Sequence, residues 1–457
     1  MIPSLEPTTS VHLIGAGGAG MSGIARILLQ RGHQVSGSDL RDGRALEELR
    51  VLGARMEVGH APEHLGDARL VVTSTAVPAD NPEVLAAREQ GRRLLRRAEM
   101  LAQLMVDDHA VLIAGTHGKT STTSMTVVAL QAAGGDPSFA IGGSLNESGT
   151  NAHAGTDGRF IAEADESDRS FLVYRPDVAV VTNVEHDHPE EFDDAQAVRQ
   201  AFVSFLERRA PGAPAVMCVD DPPTAELAGQ IDAPVVRYGT GPMADVRVLP
   251  TAEDGGHEVR IDGRPVAQLR LAVPGPHNLL NATAALAVCH VLGEDVAAAA
   301  DGLRRFTGAA RRFQPLGEAA GVEVVDDYAH HPTELRATLA AARASRSGRI
   351  VLVVQPHRYS RTAVFGAELG RAASAADLVV VTDVYGAGEA PVPGVSGREV
   401  ADAAAAAGAS VVYHPHLGEV VDALVDRVTA GDLVLTTGAG DVTQVGPRLL
   451  ARLRGSR

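Results

Sequence analysis

The sequence predicts an α/β fold of three domains, each built on a mainly parallel sheet, and three observations predict it. Apolar runs such as VHLI, AVLIAG and RIVLVVQ recur without polar alternation, as strands buried on both faces do. Helix-spaced or Ala-rich segments separate them, which supplies the crossovers that parallel strands need. A fresh sheet starts three times, at Val11, at Ala110 and after Arg312, and 457 residues suit three domains.

In chain order, Val11–Ile14 reads as a strand, followed by a glycine turn and a helix with Met21, Ile24, Ile27 and Leu28 on one face. QVSGSD and LVVTSTA (Leu70 to Ala76) read as further strands, and residues 88–105 as one charged helix. The polar DDH at 107–109 closes a Rossmann-like first domain, 1–106. The central domain, 107–312, reads as a P-loop ATPase-like sheet: AVLIA, RFIAEAD, VAVVTNV and APAVMCVD are its strands, and Met243 to Gly263 reads as surface hairpins. The third domain, 313–457, has VEVVDD, RIVLVVQ, LVVVTDV and DLVLTTGAG between Ala-rich helices and is again Rossmann-like. No short-period repeat is present, so a solenoid is excluded.

Composition narrows the function. A net charge of -16, no Trp and only nine Phe and six Tyr argue against nucleic acid as a partner. No apolar run approaches the ~18 residues of a membrane span, and the start lacks a basic region before an apolar stretch. Cys218 and Cys289 lie far apart, which fits a reducing cytoplasm. Of 41 basic residues, one alone is lysine, Lys119. GC-rich coding with chance survival of one lysine explains the excess of arginine but not where the exception falls.

That lysine closes the loop Gly115-Thr116-His117-Gly118-Lys119-Thr120, which follows a strand and precedes a helix. It offers what a nucleoside triphosphate needs: amides around the phosphates, an ammonium on the outer oxygens and a hydroxyl for magnesium. Ile113 stands where the full P-loop pattern has its first glycine. Earlier, Gly15, Gly17 and Gly20 form GxGxxG between strand and helix, with Asp39 ending the next strand where it would meet a ribose hydroxyl. A dinucleotide site, another nucleotide-diphosphate site and a purely structural turn are all compatible with that loop.

Glu163, Asp165, Glu166 and Asp168 follow an apolar strand in EADESD, and Glu163 is the favoured metal ligand among them. His188 follows VAVVTN in the same way, although magnesium prefers oxygen. His277, Asn278 and Asn281 in GPHNLLN offer groups for an adenine edge or a ribose, with N-capping by Asn278 as the alternative. In the third domain, Asp326, Asp327, Tyr328, His330 and His331 end one strand, and His357, Arg358 and Arg361 follow the next. Arg358 and Arg361 are spaced to fork onto a carboxylate or phosphate.

With these motifs in place, the chain resembles the Mur ligases nearly end to end, from GAGGAGM through GTHGKTST, EADESD, TNVEHDH, GPHNLLN, RRF, DDYAHHPTE and QPHRYSRT to GEAPVPG and TTGAGD. Within the family the likeness is to the branch that joins L-alanine to UDP-N-acetylmuramate. It implies that Gly15, Gly17, Gly18 and Gly20, with Asp39, Ser74 and Thr75, bind the uridine diphosphate part. It implies ATP contacts from Gly115 through Ser121, with Lys119 on the phosphates, and from His277, Asn278, Asn281, Arg312 and Asp327. Thr120 and Glu163 would hold one Mg2+, and Glu163 with His188 a second. Tyr328, His330, His357, Arg358 and Arg361 would face the alanine and muramoyl end, with His330 or His188 as the base for alanine. A cytoplasmic monomer or weak homodimer is expected. The sequence departs from the family pattern at Ser121, in the residues around His188, and at Ala329, where Gly is usual and a reshaped turn is expected. No spare lysine exists to carry the carbamate that sister ligases use. Three rivals remain: the ligase that recycles a tripeptide onto the same sugar, an NAD-dependent oxidoreductase built on the first glycine loop, and a sensor that binds both nucleotides without turnover.

Overall fold

The computed structural model describes residues 4–146, 148–251, 256–345 and 348–455, and three sheets organise them. The first contains β1 (Ser10–Ile14), β2 (Gln34–Asp39), β3 (Arg55–Val58), β4 (Leu70–Thr73) and β5 (Arg93–Arg96), all parallel, in the order β3-β2-β1-β4-β5. Its helices are α1 (Ala19–Gln30), α2 (Arg44–Val51), α3 (Pro82–Glu89) and α4 (Arg97–Leu104). The stripe Met21, Ile24, Ile27 and Leu28 of α1 is buried, as the spacing predicts.

Residues 88–105 are not one helix. Gly91, at φ +63, takes the left-handed turn after α3, and RLLR becomes β5, pairing with β4 before α4 begins. Main-chain pairing at the sheet edge overrides the helical preference of the charged run. LVVTSTA likewise stops being strand at Thr73, so Ser74 and Thr75 lie in the following turn.

The second sheet has ten strands: β6 (His109–Ala114), β7 (Ser138–Ala140), β8 (Ala152–His153), β9 (Arg159–Glu163), β10 (Val178–Val181), β11 (Ala215–Cys218), β12 (Val235–Gly239), β13 (Val246–Pro250), β14 (His257–Ile261) and β15 (Arg264–Leu269). Their order is β15-β14-β13-β12-β11-β10-β6-β9-β7-β8. Pairing is parallel from β13 to β7, and antiparallel at β13-β14-β15 and β7-β8. The expected hairpins are therefore present, although residues 252–255 of that stretch lie outside the described residues. The accompanying helices are α5 (Lys119–Ala132), α6 (Ala195–Glu207), α7 (Pro222–Ala228), α8 (Pro276–Val291) and α9 (Val296–Leu303). Helix α5 buries Thr122, Thr123, Ser124 and Thr126; Thr123 and Thr126 donate their hydroxyls to carbonyls one turn back, so part of this polar interior is satisfied within the helix.

The third sheet joins β16 (Gln314–Ala319), β17 (Val322–Asp327), β18 (Ile350–Val354), β19 (Leu378–Val381), β20 (Val411–Tyr413) and β21 (Leu433–Thr437) in the order β16-β17-β21-β18-β19-β20, with only β16 antiparallel. Ile350, Leu352 and Val354 pack under α10 (Pro332–Ser345), α11 (Tyr359–Ala373) and α12 (Gly397–Ala406). Val351 and Val353 pack under α13 (Leu417–Val425) and α14 (Val445–Gly455) on the other face. A continuous apolar strand is the sequence solution for a sheet covered twice.

The chain packs as two compact units. Met1–Val184, Arg199–Arg270 and Leu280–Phe306 carry the first two sheets, and Glu185–Val198, Leu271–Leu279 and Thr307–Arg457 carry the third. Inside the first unit α1 lies against the β7-β8 edge, where a Cβ on Gly23 would come within 3.2 Å of Ala152 and Asn151 Nδ2 donates to the Ala19 carbonyl. No helix among the described residues is long and apolar enough to cross a membrane.

Candidate active site

In the first unit, β6 delivers the phosphate-type loop. Gly115 (φ +136) and Gly118 (φ +82) adopt backbone conformations that disfavour a side chain. A Cβ on Gly118 would also lie 2.7 Å from Asn281 Oδ1, which accepts the Thr122 hydroxyl. Asn183 braces the loop from both sides, accepting from the His117 N–H at 2.8 Å and donating to its carbonyl at 3.0 Å.

Lys119 turns inward. Its Nζ donates to the Gly115 carbonyl (2.8 Å) and to both oxygens of the buried Glu166 (2.7 and 2.9 Å), with Asp165 3.9 Å away. Burial pulls the ammonium down, but Glu166 and then Asp165 outweigh it and hold its pKa above the ordinary lysine value. The four carboxylates of EADESD thus divide. Glu166 balances Lys119, Asp168 accepts the Ser170 N–H, and Glu163 accepts the Thr120 hydroxyl at 3.2 Å and the Gly142 N–H at 2.6 Å. Thr120 and Glu163 are hard oxygen donors side by side at the start of α5, a set that fits Mg2+.

A cavity of about 620 Å³ runs through this unit from Glu163, Asp165 and Gly142 to Gly15, Gly18 and Gly20 and on to Asp39, Leu40, His60 and Ser74. Gly15 takes φ +80, and a Cβ on Gly20 would lie 3.0 Å from Arg97 Cδ. Asp39 lines the cavity, but its carboxylate already accepts the Gly17 N–H at 2.9 Å and so fixes the loop. Thr75 faces a separate cavity of about 210 Å³, with Arg97, Asp168 and Arg169.

In the second unit, a buried ion pair organises the remaining candidates. Arg361 and Asp187, with side chains 3% and 4% exposed, meet at 2.8 Å. Burial raises the Asp187 carboxyl, but Arg361, His188 and His330 together hold it far below the usual range. Arg361 also donates to His357 Nδ1 (3.2 Å), and His188 Nδ1 lies 3.3 Å from its guanidinium. His188 sits at φ +55 and Arg358 at φ +66, uncommon for residues with side chains. Arg358 pairs with Glu389 at 3.2 Å. The two arginines therefore do not form the expected fork, because Arg361 is consumed by Asp187 inside the unit.

His330 Nδ1 lies 2.9 Å from the Tyr328 carbonyl. Burial, resisted by Glu334, pushes this imidazole down to about 4, and burial with the nearby charges of Arg361 and Arg358 pushes His357 down to about 3. A neutral His330 must donate from Nδ1 to that carbonyl, which leaves a lone pair on Nε2. The guanidiniums of Arg311 and Arg312 lie over the Tyr328 ring, 4.9 and 5.1 Å from its centroid. Asp327 accepts the Phe313 and Ala329 N–H groups and the Thr338 hydroxyl, and burial raises its pKa. Ala329 has no positive φ, so this turn does not need the expected glycine. His277 is pushed down to about 4 by burial and then Arg312, and its buried Nδ1 has no partner among the described residues. Asn278 lies inside the first turn of α8 and donates to the Pro274 carbonyl, so it is not the N-cap.

Sequence reasoning missed Asp187, Asn183, Arg97 and the pairing role of Glu166. The HDH string held a signal for Asp187, since a carboxylate between two imidazoles invites pairing; Arg97 was hidden in an apparently solvated basic run.

Three family models match the chain: "Mur ligase family, catalytic domain" over residues 10–109, "Mur ligase middle domain" over 113–289, and "Mur ligase, glutamate ligase domain" over 311–440. The UDP-N-acetylmuramate–L-alanine ligase of Acidothermus cellulolyticus is 51% identical over 98% of this chain and 96% of its own. That of Kineococcus radiotolerans is 52% identical over 96% and 95%. Among solved structures, UDP-N-acetylmuramate-alanine ligase from Thermotoga maritima superposes with a TM-score of 0.81 at 28% identity, covering 98% of this chain and all of that one. A murein peptide ligase from Psychrobacter arcticus gives 0.75 at 25% identity, over 98% and 99%.

Proposed function

The chain belongs to the Mur ligase family, and from that premise we propose that it is the ATP-dependent enzyme that joins L-alanine to the carboxylate of UDP-N-acetylmuramate in peptidoglycan precursor synthesis. The observation that carries this reading is the continuity of one cavity. It links the first glycine loop, suited to a sugar-nucleotide diphosphate, to Glu163 beside the triphosphate loop. A substrate lying along it brings its acid end to the terminal phosphate of ATP.

In the proposed reaction the lactyl carboxylate oxygen attacks the γ-phosphorus, releasing ADP and forming an acyl phosphate. The alanine amine, having lost its extra proton, attacks the acyl carbon, and the tetrahedral intermediate expels phosphate to leave the amide. Lys119 moves from Glu166 to the phosphates and offsets their charge, and the amides of Gly115 to Thr120 cradle them. Thr120 and Glu163 would hold Mg2+, which when bound would supply charge neutralisation at the transferring group. His188, with its Nδ1 donating to Glu190 at 3.3 Å, would present Nε2 to a second ion. His330, neutral with a lone pair on Nε2, is the base assigned to alanine. Arg312, Asp327, His277 and Asn278 serve ATP, and Tyr328, His357 and Arg358 serve the alanine and muramoyl end. The working domains are 1–106, 107–312 and 313–457, in a cytoplasmic monomer or weak homodimer.

Phosphate release from ATP with magnesium and UDP-N-acetylmuramate tests the assignment. Release that requires L-alanine is expected; release only with the recycled tripeptide, or none while both nucleotides bind, overturns it.

A further inference from the structure

Behind the nucleoside end of the cavity lies a buried polar cluster that the reaction does not use. Glu83, at the start of α3, is fully buried, as is His12 from β1. One Glu83 oxygen meets Ser38 Oγ (2.6 Å), His12 Nε2 (3.4 Å) and His60 Nδ1 (3.4 Å). The other meets His64 Nδ1 (2.9 Å) and the Ala61 N–H (3.3 Å). These are the polar and titratable partners that face it from β1, from β2 and from the segment after β3, and Asn81 accepts its own N–H. Burial raises the carboxyl, but hydrogen bonds from His12, Ser38 and His64 bring it down to about 2, so it is ionised at neutral pH.

An ionised carboxylate only accepts, so the Ser38 hydroxyl must spend its one proton on Glu83. Ser38 Oγ also lies 3.0 Å from His60 Nδ1. With its proton already committed, Ser38 accepts there and His60 donates from Nδ1. In the neutral ring Nε2 then carries a lone pair. His60 lines the cavity, and Nε2 has no partner among the described residues. Glu163, the glycine loop, Leu40 and His60 line the same cavity, and with the diphosphate at the glycine loop the base is assigned to the part lined by Leu40 and His60. The segment carrying His60 is held there by the Gly59 N–H, which donates to the Asp39 carbonyl.

We propose that Glu83, acting through Ser38, is a positioning residue that holds His60 with its Nε2 lone pair toward the base, so that the site takes the imide N–H of uracil and refuses cytosine, which presents a lone pair at that ring position. This inference rests on the cavity being the UDP-sugar site. Replacing Glu83 by glutamine reverses the relay. The new amide donates to Ser38, Ser38 donates to His60 Nδ1, and the ring proton moves to Nε2.

The test is calorimetric binding of UDP and of CDP to the full-length wild type, Glu83→Gln, Ser38→Ala, His60→Ala and the Glu83→Gln/His60→Ala double variant, with thermal midpoints measured alongside. The expected result is a wild type that prefers UDP and a Glu83→Gln variant whose UDP affinity falls about tenfold, the value of one directed hydrogen bond, while CDP is spared. Ser38→Ala narrows the UDP to CDP ratio without changing the buried charge, which keeps the test open if Glu83→Gln does not fold. His60→Ala collapses the ratio, and adding Glu83→Gln to it changes the ratio no further. An unchanged ratio in His60→Ala, or equal losses of both nucleotides in Glu83→Gln and Ser38→Ala, overturns the relay alone. A wild type that binds ATP but not UDP overturns the relay together with the reading of the cavity.

Discussion

Removing the Asp187 side chain should destabilise the second unit far more than a surface substitution. Asp187→Ala leaves the Arg361 guanidinium, 3% exposed, with only the imidazole nitrogens of His357 and His188, at 3.2 and 3.3 Å, within hydrogen-bond distance of its side chain among the described residues. Breaking a buried pair by deleting one partner costs about 3 to 5 kcal/mol, because the remaining charge stays out of water. A unit of this size loses about 2 to 4 °C of melting temperature per kcal/mol, so a fall of about 10 °C is expected. Asp187→Asn keeps one acceptor oxygen and should fall between. The Asp187→Leu/Arg361→Met pair should recover most of the stability, since apolar isosteres commonly replace a buried ion pair without loss. Scanning calorimetry gives the overall change, and hydrogen exchange of the α11 amides locates it. A fall of less than about 2 °C in Asp187→Ala, with α11 protection unchanged, refutes the reasoning: water would then reach the pair and screen it.

Lys119→Met should abolish alanine-dependent phosphate release and destabilise the fold, because Glu166 loses its counter-ion; Lys119→Met/Glu166→Gln should restore the melting temperature and leave activity at zero. Gly118→Ala should cost about 1 to 3 kcal/mol and raise the KM for ATP, since it combines a left-handed φ with a Cβ pressed on Asn281, and steady-state kinetics with thermal melting reads both. His277, His330 and His357 have folded-state values of about 4, 4 and 3 against an ordinary 6.5. Between these limits the unfolded chain binds more protons, so stability is fully present above pH 6.5 and falls as the pH drops toward 4, by up to about 3 kcal/mol for each ring. Urea midpoints at pH 7, 5.5 and 4.5 check this, and a flat profile contradicts the burial of these rings.

The features that the sequence disclosed are those written locally. RIVLVVQ exposes no polar alternation, so its two buried faces are visible one strand at a time, and the Gly115–Thr120 loop states its chemistry in six consecutive residues. The reading failed where the deciding partner is distant. RRLLRR looks like an exposed helix until β4 supplies a strand for Leu94 and Leu95 to extend. Asp187 meets its arginine 174 positions later, and Glu83 draws on His12 at a separation of 71. A carboxylate that will be buried and paired is indistinguishable in sequence from one left in water, and only the fold tells Glu166 from its neighbours.

The inward turn of Lys119 has a practical consequence. Its amine is the only lysine ammonium in the chain, yet a proton held by Glu166 and a loop carbonyl makes it a poor nucleophile toward acylating reagents. Any ligand that draws Glu166 away, or takes its place, changes that reactivity at one known atom. The rate of acylation at Lys119, followed by the mass of the peptide that carries it, is therefore a built-in reporter of traffic through the phosphate loop, with no dye, tag or engineered cysteine.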